Sequence, residues 1–230
     1  MHINQFIAHA GVCARRAAEK LVKAGKISIN GRVHTDVTYH VQPEDKVTYQ
    51  GKVLRPQPKK YLLLHKPVGY VTTLHDPQGR RTVMDLLDSQ DHIRLYPVGR
   101  LDYMTKGLLI FTNDGFLADQ LAHPSQGVSK RYEVTTKKEI TNDDFEKIEQ
   151  GVTLSDGPVR VDTLKRLSKR KVSLSIHMGL NRIIRRLFKH LGHHITQLTR
   201  THYAHLSLEG ITEGKWRWMT TQEVNRFTKN

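Results

Sequence analysis

A short segment rich in proline and positive charge divides the chain into two parts. The sequence RPQPKK, residues 55–60, contains two prolines and three Lys or Arg side chains. Proline fixes the backbone angle φ and cannot donate a backbone hydrogen bond, so such a segment is typical of a semi-rigid linker. We therefore predict a small domain over residues 1–56 and a larger domain over residues 57–230.

The N-terminal part of the sequence predicts two short helices followed by a hairpin. Apolar residues from Phe6 to Val22 follow an approximate helical stripe that Gly11 interrupts. Gly25 is expected to end the second helix. The next sequence, KISINGRVH, alternates apolar and polar residues around an Asn-Gly pair, which is a strong signal for a tight hairpin turn. The first domain is therefore predicted to be a compact helix–helix–hairpin unit.

Positive charge is concentrated on the second of these helices. The chain carries 37 Lys and Arg against 22 Asp and Glu, a formal net charge of +15, which favours RNA or DNA as a partner. Cationic side chains on so small a unit are expected to contact phosphates, and a solvated helix face is the alternative. The residues concerned are Arg15, Arg16, Lys20 and Lys23.

Residues 2 to about 50 resemble the S4 domain, an RNA-binding module found in ribosomal proteins and RNA-modifying enzymes. Most of the resemblance lies in the sequence INQFIAHAGVCARRAAEKLVKAGKISINGRV. It implies docking on structured RNA through the basic helix, and it implies nothing about chemistry.

The larger part of the sequence predicts many short strands and few helices. Strands are predicted at the apolar or β-branched runs YLLLHKP, GYVTT, LLIFTND, RYEVTT and KVSLSIHM. One helix is predicted at TNDDFEKIEQG, with Thr141 or Asn142 as its N-cap. A second is predicted at NRIIRRLFKHLG, where the apolar side chains share one face and Gly192 is the stop. This pattern favours an α+β domain around a mostly antiparallel sheet.

The segment 163–208 contains ten Lys and Arg and no Asp or Glu. Several of these cations fall on the second predicted helix, where spacings of three and four residues suit contact with successive phosphates. The residues of that helix are Arg182, Arg185, Arg186 and Lys189.

Asp102 is the carboxylate that the sequence leaves to be explained. From residue types alone, a lone aspartate between a strand and a turn is most often a cap or turn residue. However, the stretch GRLDYMTKGLLIFTNDG around it resembles the signature of the pseudouridine synthases, in particular the RsuA/RluB type that acts on ribosomal RNA. The stretches LLHKPVGYVTT, KRYEV and GLNRIIRRLFKHLGH resemble further motifs of that family in the same order. With the S4-like part, the resemblance covers nearly the whole chain.

The resemblance implies a catalytic domain with a long bisected sheet and an active site in its central cleft. By position, it implies that Asp102 is the nucleophile, that Tyr132 packs against the target base and that Arg185 pairs with Asp102. Arg100 would lie beside the nucleophile and help to hold the RNA, and Asn181 would belong to the same RNA-binding motif as the basic helix.

The last motif departs from the family pattern at two positions. Leu180 stands where the family usually has arginine, and Ile183 stands where it usually has glutamine or another polar residue. These changes concern contacts with the flipped nucleotide or the RNA backbone. They support the alternative of a catalytically inactive RNA-binding or ribosome-assembly factor. A DNA-binding regulator is disfavoured because no helix-turn-helix or zinc pattern occurs.

The implied reaction is an isomerisation of uridine, which requires neither a metal nor a redox cofactor. Neither GxGxxG nor GxxxxGK[ST] occurs, so no nucleotide cofactor is expected. The group His190, His193 and His194 has a spacing found in metal sites, but the predicted helix stop at Gly192 breaks their shared face. We expect these histidines at the helix end and on an RNA-facing surface, and no metal site.

The segments HDPQGRRTVMDLL and GVTLSDGPVRVDTL resemble the large-subunit branch of the family more than the small-subunit branch. We therefore expect ribosomal RNA, or a pre-ribosomal particle, as the partner, with large-subunit RNA favoured over small-subunit RNA. A single cysteine, Cys13, fits a reducing compartment, and no apolar run reaches the length of a membrane span. The sequence thus predicts a soluble, cytoplasmic and monomeric protein.

Overall fold

The computed structural model describes residues 1–87 and 93–228. This part of the chain divides into two compact units. The first comprises Met1–Lys60 and a short later segment that ends at Leu95, and the second comprises the remainder from Tyr61 onward. Both units combine helices and sheets, so the α+β class predicted from the sequence is confirmed.

The first unit packs two short helices against a small antiparallel sheet. Its described elements are α1 (Ile3–His9), α2 (Arg15–Lys23), β1 (Ile27–Ile29), β2 (Arg32–His34), β3 (Val47–Tyr49) and β4 (Lys52–Val53), and the strand order is β2-β1-β3-β4. Asn30 and Gly31 connect β1 and β2 with φ angles of 52° and 81°, which is the backbone of the tight turn that an Asn-Gly pair favours. The predicted helix–helix–hairpin unit is confirmed, and the structure adds β3 and β4.

The second unit is built on one large sheet. Its strands are β5 (Tyr61–Lys66), β6 (Tyr96–Val98), β7 (Lys106–Thr112), β8 (Lys130–Thr136), β9 (Val152–Leu154), β10 (Gly157–Val159), β11 (Thr163–Ser168), β12 (Lys171–Ile176), β13 (Ile195–Tyr203), β14 (Leu206–Ser207) and β15 (Trp216–Trp218). In the described residues the main path runs β11-β12-β8-β13-β7-β5-β15, with β6 on β7 and β14 on β13, while β9 and β10 form a separate hairpin.

The helices of the second unit pack on this sheet. They are α3 (Gly115–Ala122), α4 (Asn142–Gln150), α5 (Ile183–His190) and α6 (Thr221–Thr228), with short 3-10 turns at Val83–Leu86 and Pro124–Gln126. The side-chain hydroxyl of Thr141 accepts a hydrogen bond from the Asp144 backbone N–H, and the Thr141 backbone N–H donates to the Asp144 carboxylate. Of the two predicted caps, Thr141 is therefore the residue that caps α4. The apolar face of α5 is buried as predicted, and the helix ends before Gly192.

A short parallel contact divides the large sheet into two halves. Among the described strand pairs, only β13 and β7 run parallel, and they pair at Thr199–Lys106 and Arg200–Gly107. Separate apolar cores lie on the two sides, one around β8, β12, α4 and α5 and the other around β5, β7 and α3. Gly107 has a φ of 120°, and a Cβ atom there would lie 2.2 Å from the Arg200 carbonyl oxygen. The close approach of the two halves therefore depends on glycine, and the implied bisected sheet is confirmed.

The predicted strand at GYVTT is wrong. Residues 69–73 form turns and bends with one isolated bridge, between Val71 and Thr82. The side-chain hydroxyl of Thr72 instead donates to the Leu101 carbonyl oxygen at 2.7 Å and accepts from the Leu101 backbone at 3.2 Å. The segment braces the loop that precedes Asp102, and this tertiary contact overrides the β propensity of its residues.

Candidate active site

Asp102 begins a tight turn whose backbone is fixed by buried donors. The Thr105 backbone donates to the Asp102 carbonyl oxygen at 3.0 Å, and Gly69 donates to the Tyr103 carbonyl oxygen at 2.9 Å. The fully buried Lys66 ammonium donates to the carbonyl oxygens of Asp102 at 3.2 Å and Thr105 at 2.9 Å. Burial lowers the pKa of Lys66 to about 8, while the charge of Asp102 opposes that change. Lys66 thus fixes the backbone of the turn from the buried side, and the Asp102 side chain remains 41% exposed.

Two arginines of the last motif face the Asp102 carboxylate. The Nε atoms of Arg185 and Arg182 lie 3.8 Å and 3.9 Å from Oδ2 of Asp102. Arg185 is 16% exposed and is fixed by hydrogen bonds to the Met104 carbonyl oxygen at 2.7 Å and to the Thr105 hydroxyl at 3.2 Å. Burial lowers the pKa of Arg185, and Asp102 counteracts this. The structure brings Arg185 to Asp102, as the resemblance implied, and places Arg182 at the same carboxylate.

The start of α5 explains how these arginines reach the turn. Arg182 adopts a left-handed backbone, with φ 48° and ψ 30°, directly before the helix. Ile183 and Ile184 then point into the apolar core, so Arg185 is directed away from that core towards the Asp102 turn. Ile183 is one of the two departures from the family pattern, and its burial accounts for an apolar residue there. Leu180, the other departure, is exposed and lines the cleft beside Asp102.

Arg186 does not share the site of its neighbour. Its guanidinium donates two hydrogen bonds to Asp156, in the turn between β9 and β10, at 2.7 Å and 2.8 Å. These bonds raise the pKa of Arg186 and lower that of Asp156. Arg186 therefore forms a bidentate ion pair within the protein, because a carboxylate that is distant in sequence lies within reach. The RNA contact expected for Arg186 stays a prediction.

The Asp102 carboxylate opens onto a cleft of about 180 Å³. Its wall includes Tyr132 from β8 and apolar side chains such as Leu198 and Ile184. Tyr132 pairs in register with Arg200 of β13. Arg100 is exposed and lines the same cleft. The structure thus collects Asp102, Tyr132 and Arg100 around one cavity.

The inner part of the cleft contains two cations that sequence reasoning missed. Arg200 is 2% exposed, and its Nε donates to the Leu108 carbonyl oxygen at 2.8 Å. Lys130 donates to the Val128 carbonyl oxygen at 2.9 Å. Both groups lie about 5 Å above the Tyr203 ring, at 4.9 Å and 5.0 Å. Burial, assisted by Arg200, lowers the pKa of Lys130 to about 8. In the sequence, Lys130 stands two residues before Tyr132, and this spacing in a strand puts both side chains on one face, so it could have indicated that Lys130 lines the cleft.

The remaining predicted RNA-binding residues are exposed. Asn181 lies in the turn before α5, and Lys189 lies on α5 in a basic groove together with Arg182 and Arg185. In the first unit, α2 buries Ala18 and Val22 and exposes its cationic side chains. The exposed side chains of α2 are Arg15, Arg16, Lys20 and Lys23.

The three histidines near the end of α5 do not form a common surface. His193 is buried, with Nε2 3.0 Å from the Asp144 carboxylate, whereas His190 and His194 are exposed. The expectation of an RNA-facing surface is wrong for His193, because the chain reverses after Gly192 and turns this ring towards α4. Among the described residues, no group of three or more His, Cys, Asp or Glu side chains is arranged to hold a metal ion.

The described helices include none with the length and apolar character needed to cross a membrane.

Comparison with known proteins identifies relatives along the whole chain. A family described as RNA pseudouridylate synthase matches residues 60–190, and the S4 domain matches residues 1–47. Ribosomal large subunit pseudouridine synthase B of Bacillus subtilis is 40% identical over 98% of this chain and 94% of that protein. The dual-specificity RNA pseudouridine synthase RluF of Escherichia coli K12 is 31% identical over 97% of this chain and 77% of its own length. A crystal structure of a pseudouridylate synthase matches with a TM-score of 0.71 at 24% identity, covering 99% of both chains.

Proposed function

The chain belongs to the family of RNA pseudouridine synthases, and we propose that it converts a specific uridine of large-subunit ribosomal RNA to pseudouridine with Asp102 as the nucleophile. The observation that carries this proposal is the position of Asp102. Among the described residues that line the cleft, it is the only carboxylate, and it faces two arginines. The name of the Bacillus subtilis relative supports the choice of large-subunit RNA.

The residues around the cleft suit the isomerisation of uridine. The bond between ribose C1′ and uracil N1 breaks, a bond from C1′ to C5 forms, the C5 proton leaves, and N1 gains a proton, so the product has the same atoms as uridine. A carboxylate can form the covalent intermediate, by attack on either the ribose or the uracil ring. The Arg185 guanidinium places positive charge beside this carboxylate, with its Nε atom 3.8 Å from Oδ2 of Asp102. The target base has to leave its stack to enter the cleft, where the ring of Tyr132 can receive its face.

The two units have separate tasks in this proposal. Residues 1–56 dock on RNA through α2, and residues 57–230 carry the chemistry. The exposed groove of α5, with Arg182 and Lys189, adds phosphate contacts next to the cleft. Ribosomal RNA as the substrate implies a cytoplasmic location, and we retain a monomer as the expected state.

A variant with four neutral side chains on α2 tests the docking task. Replacement of Arg15, Arg16, Lys20 and Lys23 by Gln should reduce the slope of log K against log salt by roughly 0.7–0.9 for each lost phosphate contact. The single-turnover rate at saturating RNA should stay unchanged, because Asp102 and its neighbours are intact. An unchanged salt dependence would remove α2 from the RNA interface.

The reaction itself is tested by mapping pseudouridine in two RNAs. The protein is incubated separately with large-subunit and small-subunit ribosomal RNA that lack modifications. We expect a new pseudouridine in the large-subunit RNA, and none with Asp102→Asn, whose RNA affinity should remain close to that of the wild type because no phosphate contact is lost. Modification of small-subunit RNA alone would overturn the proposed substrate. Tight binding without modification of either RNA would favour an RNA-binding factor.

A further inference from the structure

The two cations in the inner part of the cleft have no task in the function proposed above. We propose that Lys130 and Arg200 are catalytic residues that bind the carbonyl oxygens of the target uracil and stabilise the negative charge that develops there. This inference rests on the proposed isomerisation and assigns it two further residues.

The first observation behind this assignment is the lack of a counter-ion for two cations, of which Arg200 is buried and Lys130 is partly buried. Arg200 is 2% exposed, and its Nη2 atom is buried without a hydrogen-bond partner among the described residues. Neither Lys130 nor Arg200 forms an ion pair with a carboxylate in the part of the chain that the structure describes; their hydrogen bonds go to backbone carbonyl oxygens. Buried charges in proteins are normally paired, because desolvation of an isolated charge is costly. An unpaired donor at the inner end of a cleft is therefore suited to an anionic ligand.

The strand register directs both cations towards the position of the base. Lys130 and Tyr132 lie two residues apart on β8 and therefore on the same face. Arg200 lies directly opposite Tyr132 on β13, and all three side chains line the cleft. Asp102, in contrast, is 41% exposed, whereas Arg200 is almost fully buried. A flipped nucleotide stays attached to the RNA through its phosphates, so its base enters first and reaches the inner cations.

The chemistry of the reaction needs positive charge at this place. When the N1–C1′ bond breaks, its electron pair remains on the uracil ring and is shared by N1, O2 and O4. If Asp102 instead adds to the uracil ring, the electron pair of the C5–C6 double bond shifts towards O4. In both cases negative charge develops on the carbonyl oxygens, and fixed donors in a water-poor site stabilise such charge most strongly. Lys130 and Arg200 keep their protons throughout; the C5 proton leaves to another group, and N1 takes up a proton from the solvent, so the two proton transfers balance.

A leaving-group comparison tests the role directly. Single-turnover consumption is measured for RNA that carries either uridine or 5-fluorouridine at the target position. Fluorine withdraws electrons from the ring, so fluorouracil accepts negative charge more readily. Fluorine also replaces the C5 hydrogen, so the final loss of that proton cannot occur and substrate consumption reports only the earlier steps. Lys130→Met should slow uridine consumption by about 10²–10³-fold, which is typical for the loss of one such donor. The factor by which Lys130→Met slows fluorouridine consumption should be at least about tenfold smaller than the factor for uridine.

The controls separate this role from a structural one. Lys171→Met removes a lysine on β12 that pairs with Glu133 at 2.6 Å, and it should leave both rates unchanged. Arg200→Lys keeps the charge and provides a second variant. It should also slow uridine consumption more than fluorouridine consumption, but by a smaller margin than Lys130→Met does. Equal slowing of both substrates by Lys130→Met, with a native circular dichroism spectrum, would overturn the inference. A wild-type protein that consumes neither substrate would instead refute the proposed function.

Discussion

Replacement of Gly107 by alanine should damage the fold at the point where the two halves of the sheet meet. Gly107 lies on β7 and pairs with Arg200 on β13. A Cβ atom at this position would lie 2.2 Å from the Arg200 carbonyl oxygen and 2.5 Å from its backbone nitrogen. Both neighbours are backbone atoms of a central strand, so neither can move aside as the end of a flexible side chain could.

Two contributions set the size of the expected effect. A φ of 120° is unfavourable for any residue with a side chain, and such strain costs about 1–3 kcal/mol. Real Cβ contacts shorter than 3.0 Å essentially never occur, so β13 must move by about 0.8 Å, and overpacking of this kind typically costs another 1–3 kcal/mol. The sum, about 2–6 kcal/mol, is a large fraction of the about 5–15 kcal/mol that stabilises a typical protein.

Gly157 provides a matched control for the strain alone. It has a φ of 123° and no atom within 4 Å of the position of an added Cβ. Gly157→Ala should therefore cost only about 1–3 kcal/mol. The free energy of unfolding is measured for both variants by urea titration, followed by circular dichroism. Equal destabilisation of the two variants would refute the argument that close approach of β7 and β13 requires glycine at position 107.

Two further outcomes are expected from individual side chains. Arg185→Ala should lower the single-turnover rate about 10- to 100-fold by removing a charged partner of Asp102. Arg186→Ala should leave that rate nearly unchanged. Equal rates for both variants would contradict the assignment of Arg185, and not Arg186, to Asp102. The hydrogen bonds from Arg217 lower the pKa of Glu223 to about 2. Because this pKa is lower in the folded than in the unfolded state, stability should fall as pH decreases from about 4.5 towards 2. The melting temperature, measured across this pH range, should therefore fall less for Glu223→Gln than for the wild type.

Local patterns predicted those parts of the fold that local interactions determine. The turn at Asn30 and Gly31, the cap at Thr141 and the buried face of α5 each depend on residues within a few positions, and all are confirmed. The strand expected at GYVTT failed because the hydroxyl of Thr72 binds backbone far along the chain. Sequence spacing also could not separate Arg185 from Arg186, since the position of Asp156 decides which of them is free to face Asp102.

The inner cations escaped prediction for a related reason. Lys130 and Arg200 are 70 positions apart in the sequence, and only the register between β8 and β13 brings them together with Tyr132. The role of Lys66 likewise depends on the turn at Asp102, which a reading of the apolar strand YLLLHK does not reveal.

One row of residues across the sheet accounts for the arrangement of charge in this unit. Lys66 on β5 and Arg200 on β13 both pair with Gly107 in register, from opposite sides. The absence of a side chain at Gly107 lets the backbones approach closely, so one cation supports the Asp102 turn while the other faces the cleft. Burial is the main cause of the lowered pKa of Lys66, and Arg200 contributes to it because two positive charges repel each other. Pairing at Gly107 therefore holds two like charges near each other, one bonded to the backbone of the Asp102 turn and the other lining the cleft.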